Sequence, residues 1–159
     1  MALVSQHPAF KKWILRLWNF WPPFLGAGIH VRSITDDLRH FEATLKMHFW
    51  NRNFFGTQYG GSLFSMTDAI YSVMLVENLG NDYIVWDKSA TIRYLKPGRT
   101  DVMATFKIDA EILAKIKQEL SNKEKMDWVK LVEIKDLNGE VIAEVEKVIY
   151  IRRKKKTNY

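Results

Sequence analysis

Between Asn53 and Val76 the chain runs through 24 residues with one charged side chain, Asp68. From Ser62 to about Leu79 this run reads as a helix. Leu63, Phe64, Met66, Ile70, Val73, Met74 and Leu75 fall on all sides of it and leave little polar face. A helix that is apolar all round must be covered on most sides. That requirement constrains the architecture more than any other feature, because the rest of the chain has to supply the cover. A carboxylate in such a run is expected to be buried, and therefore paired, hydrogen-bonded or protonated. Asp68 is either a structural acid satisfied by neighbouring hydroxyls or the centre of a reaction.

The cover is written in β-type runs. His40 to Trp50 alternates, with Phe41, Ala43, Leu45, Met47 and Phe49 on one face and His40, Glu42, Thr44, Lys46 and His48 on the other. A short strand is expected before it, at about 28–36. Tyr83 to Leu95 and Asp101 to Asp109 read as strands joined by the turn Lys96-Pro97-Gly98-Arg99. A short helix is expected over 110–121, with Asp109 as N-cap and Ile112, Ile116 and Leu120 on one side. Asp127 to Asp136 and Glu140 to Arg152 follow, linked by Asn138-Gly139, a type I′ hairpin signal. The expected product is an α+β chain in which an antiparallel sheet of five or six strands curls round one central helix. Such a sheet leaves an open face and free edges, so an oligomer is expected.

Residues 1–27 form a separate element. Phe10, Trp13, Ile14, Leu17, Trp18 and Trp21 make one stripe, with Lys11, Lys12, Arg16 and Asn19 off it, and Pro22 and Pro23 end it. This is an amphipathic helical extension. Only 15 uncharged residues lie between Arg16 and Arg32, short of the roughly 20 that a membrane span needs, and a signal-peptide cleavage site is lacking. The helix can dock on its own sheet, on a partner subunit or in a membrane interface. Docking on protein is the expectation, with peripheral membrane contact as the alternative.

The chain has 159 residues, which fits one domain, here assigned to 28–152, followed by a basic tail at 153–159. The net charge of +6 comes mostly from Arg152, Arg153, Lys154, Lys155 and Lys156. Without that run the domain is nearly neutral, and no basic stripe with spaced aromatics points to nucleic acid. There is no cysteine, which excludes disulfides and thiolate chemistry and suits a reducing, cytoplasmic location. His7, His30, His40 and His48 are dispersed without ligand spacing, and no metal is implied.

The stretch N-x-x-G-x-x-Y-G-G-x-L-F-S-x-x-D, from Asn53 to Asp68, resembles the central-helix signature of hotdog-fold acyl-CoA thioesterases of the phenylacetyl-CoA type. Ser89 to Ile108 resembles the strand, proline-containing turn and strand that follow in those proteins. The likeness runs from about residue 30 to the end. It implies a hotdog fold, a homodimer or dimer of dimers, and hydrolysis of acyl-CoA thioesters with no cofactor beyond the coenzyme A of the substrate.

In that family a histidine commonly precedes the glycine pair; here Tyr59 stands there, and the acid nine positions on is retained as Asp68. The resemblance further maps a carbonyl-polarising amide onto Asn53 and a water-orienting hydroxyl onto Ser72, one turn beyond the acid. Backbone N–H groups at Gly60 and Gly61, at a helix start, suit an oxyanion hole, although glycines there equally serve the loop-to-helix turn. A phenol donates a hydrogen bond but is no base near neutral pH, so Tyr59 is assigned a positioning role. Arg93, Lys96 and Arg99 are candidates for the phosphates of coenzyme A, the plainer reading being solvated charges. Absence of the histidine keeps a non-catalytic acyl- or lipid-binding hotdog protein as the alternative. A hotdog dehydratase or isomerase ranks third, because that chemistry normally pairs a histidine with a carboxylate.

Overall fold

A computed structural model describes residues 17–154. The expected helix over Phe10–Trp21 lies mostly outside that range. A 3₁₀ turn at Leu17–Phe20 is followed by α1 (Pro22–Ala27). Pro22 and Pro23 therefore start a helix rather than end one, since at the first positions the missing N–H is no loss and the fixed φ is already helical. Gly28, at φ 83°, closes α1 in the left-handed conformation.

The remaining elements are β1 (Ile29–Ile34), β2 (His40–Leu45), α2 (Gly60–Ser65), α3 (Ile70–Leu79), β3 (Tyr83–Tyr94), β4 (Val102–Lys107), α4 (Ala110–Asn122), β5 (Lys125–Asp136) and β6 (Val141–Arg153). The six strands form one antiparallel sheet in the order β1-β2-β4-β5-β6-β3. Its concave face holds α2 and α3 through Met66, Ile70, Met74 and Leu75, which are fully buried with Phe41, Phe106, Ile134, Val145 and Ile149. Tyr71 joins helix to sheet by edge contacts to Phe106 at 5.3 Å and Trp128 at 5.2 Å between ring centroids. Each such side chain contributes roughly 1.5–3 kcal/mol of burial. This is the hotdog fold.

Four local expectations need correction. The alternating run from His40 leaves the sheet at Leu45, and Phe49–Asn51 forms a 3₁₀ turn instead. There Asn51 is buried, accepting the His48 N–H at 2.8 Å and donating to Ala27 O at 2.8 Å and Lys46 O at 2.7 Å. The β5–β6 turn is not type I′, which needs a positive φ at both central residues. Only Gly139 has one, 84°, while Asp136 Oδ1 accepts the N–H groups of Asn138 and Glu140, both at 2.9 Å. Asp109 stands at the N-cap of α4, but its carboxylate pairs with Lys107 at 3.0 Å and caps no N–H.

The fourth correction bears on the site: the central helix is broken. Ser65 Oγ donates to Gly61 O at 2.8 Å and Thr67 Oγ1 to Phe64 O at 2.9 Å, so hydroxyls compete for the helix carbonyls. Ile70 N then bonds Asp68 O at 2.8 Å across Ala69, which sits at φ 60°. A non-glycine residue there is strained by about 1–2 kcal/mol.

The two sheet edges differ. On β1, the Asn19 side chain acts as a short strand, accepting Val31 N–H at 2.7 Å and donating to Val31 O at 3.2 Å. Trp18 packs edge-on to Phe24 in the core at 5.8 Å. Thus the described part of the N-terminal segment lies on the body of the domain. The opposite edge, β3, runs for 12 residues with no neighbour beyond it among the described residues.

Candidate functional site

There are two groupings of side chains, one at the start of α2 and one at the helix break. The first is a cleft of about 580 Å³ at the start of α2, lined among others by Asn53, Tyr59, Gly60, Gly61, Tyr94 and Lys96. The loop before it is tightly organised. Asn53 Oδ1 accepts the N–H groups of Phe55 and Thr57, each at 3.0 Å, and its amide donates to Thr57 Oγ1 at 2.8 Å and Gln58 O at 3.3 Å. Within this chain the Asn53 amide is thus committed to shaping its own loop. Gln58, absent from the sequence-derived candidates, is the buried pin: its Nε2 donates to Leu45 O at 3.2 Å and Thr100 O at 3.0 Å. A glutamine in an irregular loop carries no periodic signal that would single it out.

Neither glycine of the pair has a positive φ, and both lie against exposed tyrosine rings. A methyl group on Gly60 would stand 2.8 Å from Tyr94 Oη, and one on Gly61 would stand 2.5 Å from Tyr59 Cε1. Tyr94 Oη also donates to Gly60 O at 3.1 Å. At the first positions of α2 the Gly60 and Gly61 N–H groups have no backbone acceptor among the described residues, as is general for helix starts. Tyr59 is 56% exposed.

The second grouping surrounds the break. The Asp68 side chain, in the turn between α2 and α3, is 61% exposed, contrary to the expectation of burial. Beneath it lies Lys147 of β6, 1% exposed, whose Nζ is 3.5 Å from Asp68 Oδ1 and 2.8 Å from Asp87 Oδ1. Ser72 Oγ donates to Asp87 Oδ2 at 2.8 Å and not to Asp68. Of the two members missing from the sequence-derived candidates, Lys147 does have a signal. In Ala143, Val145, Lys147, Ile149 and Ile151, lysine occupies a slot of an otherwise apolar alternation. Asp87 has none, since an acid within a strand is ordinary.

A single chain does not bring the two groupings into one cleft: neither Asp68 nor Ser72 lines the cavity of Gly60 and Gly61. Of the basic candidates, Arg93 pairs with Glu144 and Lys96 with Glu140, while Arg99 is exposed on the turn with no acid paired to it among the described residues. Burial lowers the pKa of His30 from its ordinary value, assisted by Lys46 and Arg32, and burial raises that of Tyr71. Among the described residues there is no cluster of three or more metal-ligating side chains, and no helix is long and apolar enough to cross a membrane.

Solved structures resemble the whole fold. A Pseudomonas aeruginosa protein of unknown function, described as a probable thioesterase, superposes with a TM-score of 0.77 at 20% identity, covering 90% of this chain and 96% of that one. A Haemophilus influenzae thioesterase gives 0.64 at 15% identity, covering 91% and 92%. The Escherichia coli PaaI protein from the phenylacetic acid degradation operon gives 0.62 at 18% identity, covering 95% and 96%. At these identities the likeness establishes the fold. The sequence matches no curated protein. A family model does match, over residues 10–151, and so spans the hotdog domain together with much of the N-terminal segment; the chain belongs to that family, described as a domain of unknown function, DUF4442.

Proposed function

We propose that the protein hydrolyses acyl-CoA thioesters, with Asp68 as general base or nucleophile. The observation that carries the reading is the placing of Asp68 in this fold: its carboxylate is offered to solvent at a strained helix break and tethered from below by a buried cation. Backbone strain of this kind concentrates at functional sites. As a base, Asp68 takes a proton from water while the oxygen adds to the thioester carbonyl carbon. As a nucleophile, its own oxygen adds, and water hydrolyses the resulting anhydride. In either route the carbonyl oxygen becomes an oxyanion, to which the Gly60 and Gly61 N–H groups would donate, and collapse breaks the C–S bond and releases coenzyme A as the thiol.

Asp68 and the glycine pair are separate within one chain, so the reading requires a second copy to complete the site. The 12-residue β3, which has no neighbour on its outer side among the described residues, supports such a copy, because long unpaired edges are normally covered. Tyr59 orients the acyl group or carbonyl, and Arg99 is the basic residue best placed to meet the phosphates of coenzyme A. The alternative, a non-catalytic acyl-binding protein, draws its support from Asn53, whose amide is already fully engaged.

The test is release of free thiol from a panel of acyl-CoAs by the purified protein and by Asp68→Asn. Removal of a general base costs about 10²–10⁴-fold, so the Asp68→Asn variant should lose at least about 100-fold in kcat with KM little changed, and Tyr59→Phe less than about tenfold. Wild-type turnover in Asp68→Asn would sink the mechanism. Binding of acyl-CoA without turnover in either protein would establish the alternative.

A further inference from the structure

Lys147 is the most deeply buried charge described in the protein, and its surroundings say what it is for. It shares the inward face of β6 with Val145, Ile149 and Ile151, all fully buried, so its side chain enters the core beneath the central helix. Its register partners are Ala90 on β3, which is small, and Lys130 on β5, which is a like charge. An ammonium group in such a place costs several kcal/mol of desolvation unless acids answer it. Two do, and they are not equivalent.

Asp87 is 25% exposed and engaged through both oxygens: one meets Lys147 and the other accepts Ser72 Oγ–H. It reaches the lysine because the β3–β6 register shifts between Asp87 and Ser89, leaving Asp87 opposite the inward Ile149. Bulges re-aim side chains in this way. Asp68 engages Lys147 through one oxygen only, at the longer distance, and keeps its solvent side open. Stability alone is a weak account of this arrangement, since well-packed apolar residues of similar volume often replace a buried ion pair at no loss. The closer and more buried acid holds the lysine, and the lysine in turn restrains the exposed acid.

We propose that Lys147 is a positioning residue for Asp68. Held by Asp87, whose other oxygen accepts from Ser72, its ammonium fixes the Asp68 carboxylate at the helix break, with the second oxygen directed outward for attack. This deepens the thioesterase reading and rests on it for the reaction served. It reassigns Ser72, whose hydroxyl acts on the clamp and not on the attacking water.

The experiment uses the full chain and the double variant Lys147→Met/Asp87→Asn, which removes the cation together with its principal counter-charge so that neither is stranded in the core. The amide oxygen introduced at position 87 can still accept from Ser72. The variant should fold and assemble as the wild type does. Two measurements follow: acyl-CoA turnover, and the Asp68 side-chain ¹³Cγ resonance in aspartate-labelled protein, assigned with Asp68→Asn.

We expect kcat to fall at least about tenfold while KM changes less than about threefold, and the Asp68 resonance to shift or broaden. A folded variant with unchanged kcat overturns the proposal, as does an unchanged Asp68 resonance. If the wild type itself releases no thiol, the hydrolysis reading fails, and the resonance alone decides whether Lys147 positions Asp68.

Discussion

Gly28 and Gly56 offer a controlled comparison of what a left-handed glycine is worth, because both have positive φ, 83° and 72°, and only one is enclosed. A methyl group on Gly56 meets nothing within 4 Å. On Gly28 it would stand 2.3 Å from Asn51 Nδ2 and 2.8 Å from Lys46 O. The carbonyl belongs to backbone that is itself bonded, since Lys46 N–H donates to Gly28 O at 2.9 Å, and it cannot retreat alone. The left-handed conformation costs either variant about 1–2 kcal/mol, offset by about 0.4–1 kcal/mol from the stiffer unfolded chain. Gly56→Ala should therefore lose roughly 0.5–1 kcal/mol.

Gly28→Ala additionally expels the Asn51 amide from its bonds to Ala27 O and Lys46 O. At about 0.5–1.5 kcal/mol for each bond, the total becomes roughly 2–4 kcal/mol. Urea unfolding followed by tryptophan fluorescence at one protein concentration reads the difference. With a slope of about 2 kcal/mol/M, the midpoint should fall by about 1–2 M for Gly28→Ala and by less than about 0.5 M for Gly56→Ala. Equal midpoints for the two variants would refute the argument that enclosure, and not φ, decides the cost.

Two further outcomes are expected. Because no described strand pairs with the outer edge of β3, light scattering at micromolar concentration should report at least twice the chain mass of 18.7 kDa, and a stable monomer would remove the shared site. His30 is harder to protonate in the folded state, chiefly through burial and then through Lys46 and Arg32, so as pH falls below its ordinary 6.5 the unfolded chain takes the proton first and stability is lost. His30→Gln should flatten the fall in urea midpoint between about pH 7 and 5; an unchanged slope would show that another group governs it.

What the sequence determined by itself was the part governed by local periodicity and by the need to cover an apolar helix. Leu63 to Leu75 demanded a wrapping sheet, and the alternating runs from Phe41, Tyr83, Val102, Trp128 and Val141 became its strands within a few residues. The lone acid in that helix could be picked out as a suspect because an isolated charge stands out against an apolar background. Tertiary structure decided what each polar group does there. The i, i+4 spacing put Ser72 beside Asp68 on an unbroken helix, but hydroxyl bonds to the carbonyls of Gly61 and Phe64 accompany a break, and Ser72 turned to Asp87. No window of sequence joins Asp68, Asp87 and Lys147, which lie on a helix break, an edge strand and its neighbour. Their meeting is a product of strand register and of one bulge, and electrostatic pairing across such distances in sequence is settled only when the sheet has closed on the helix.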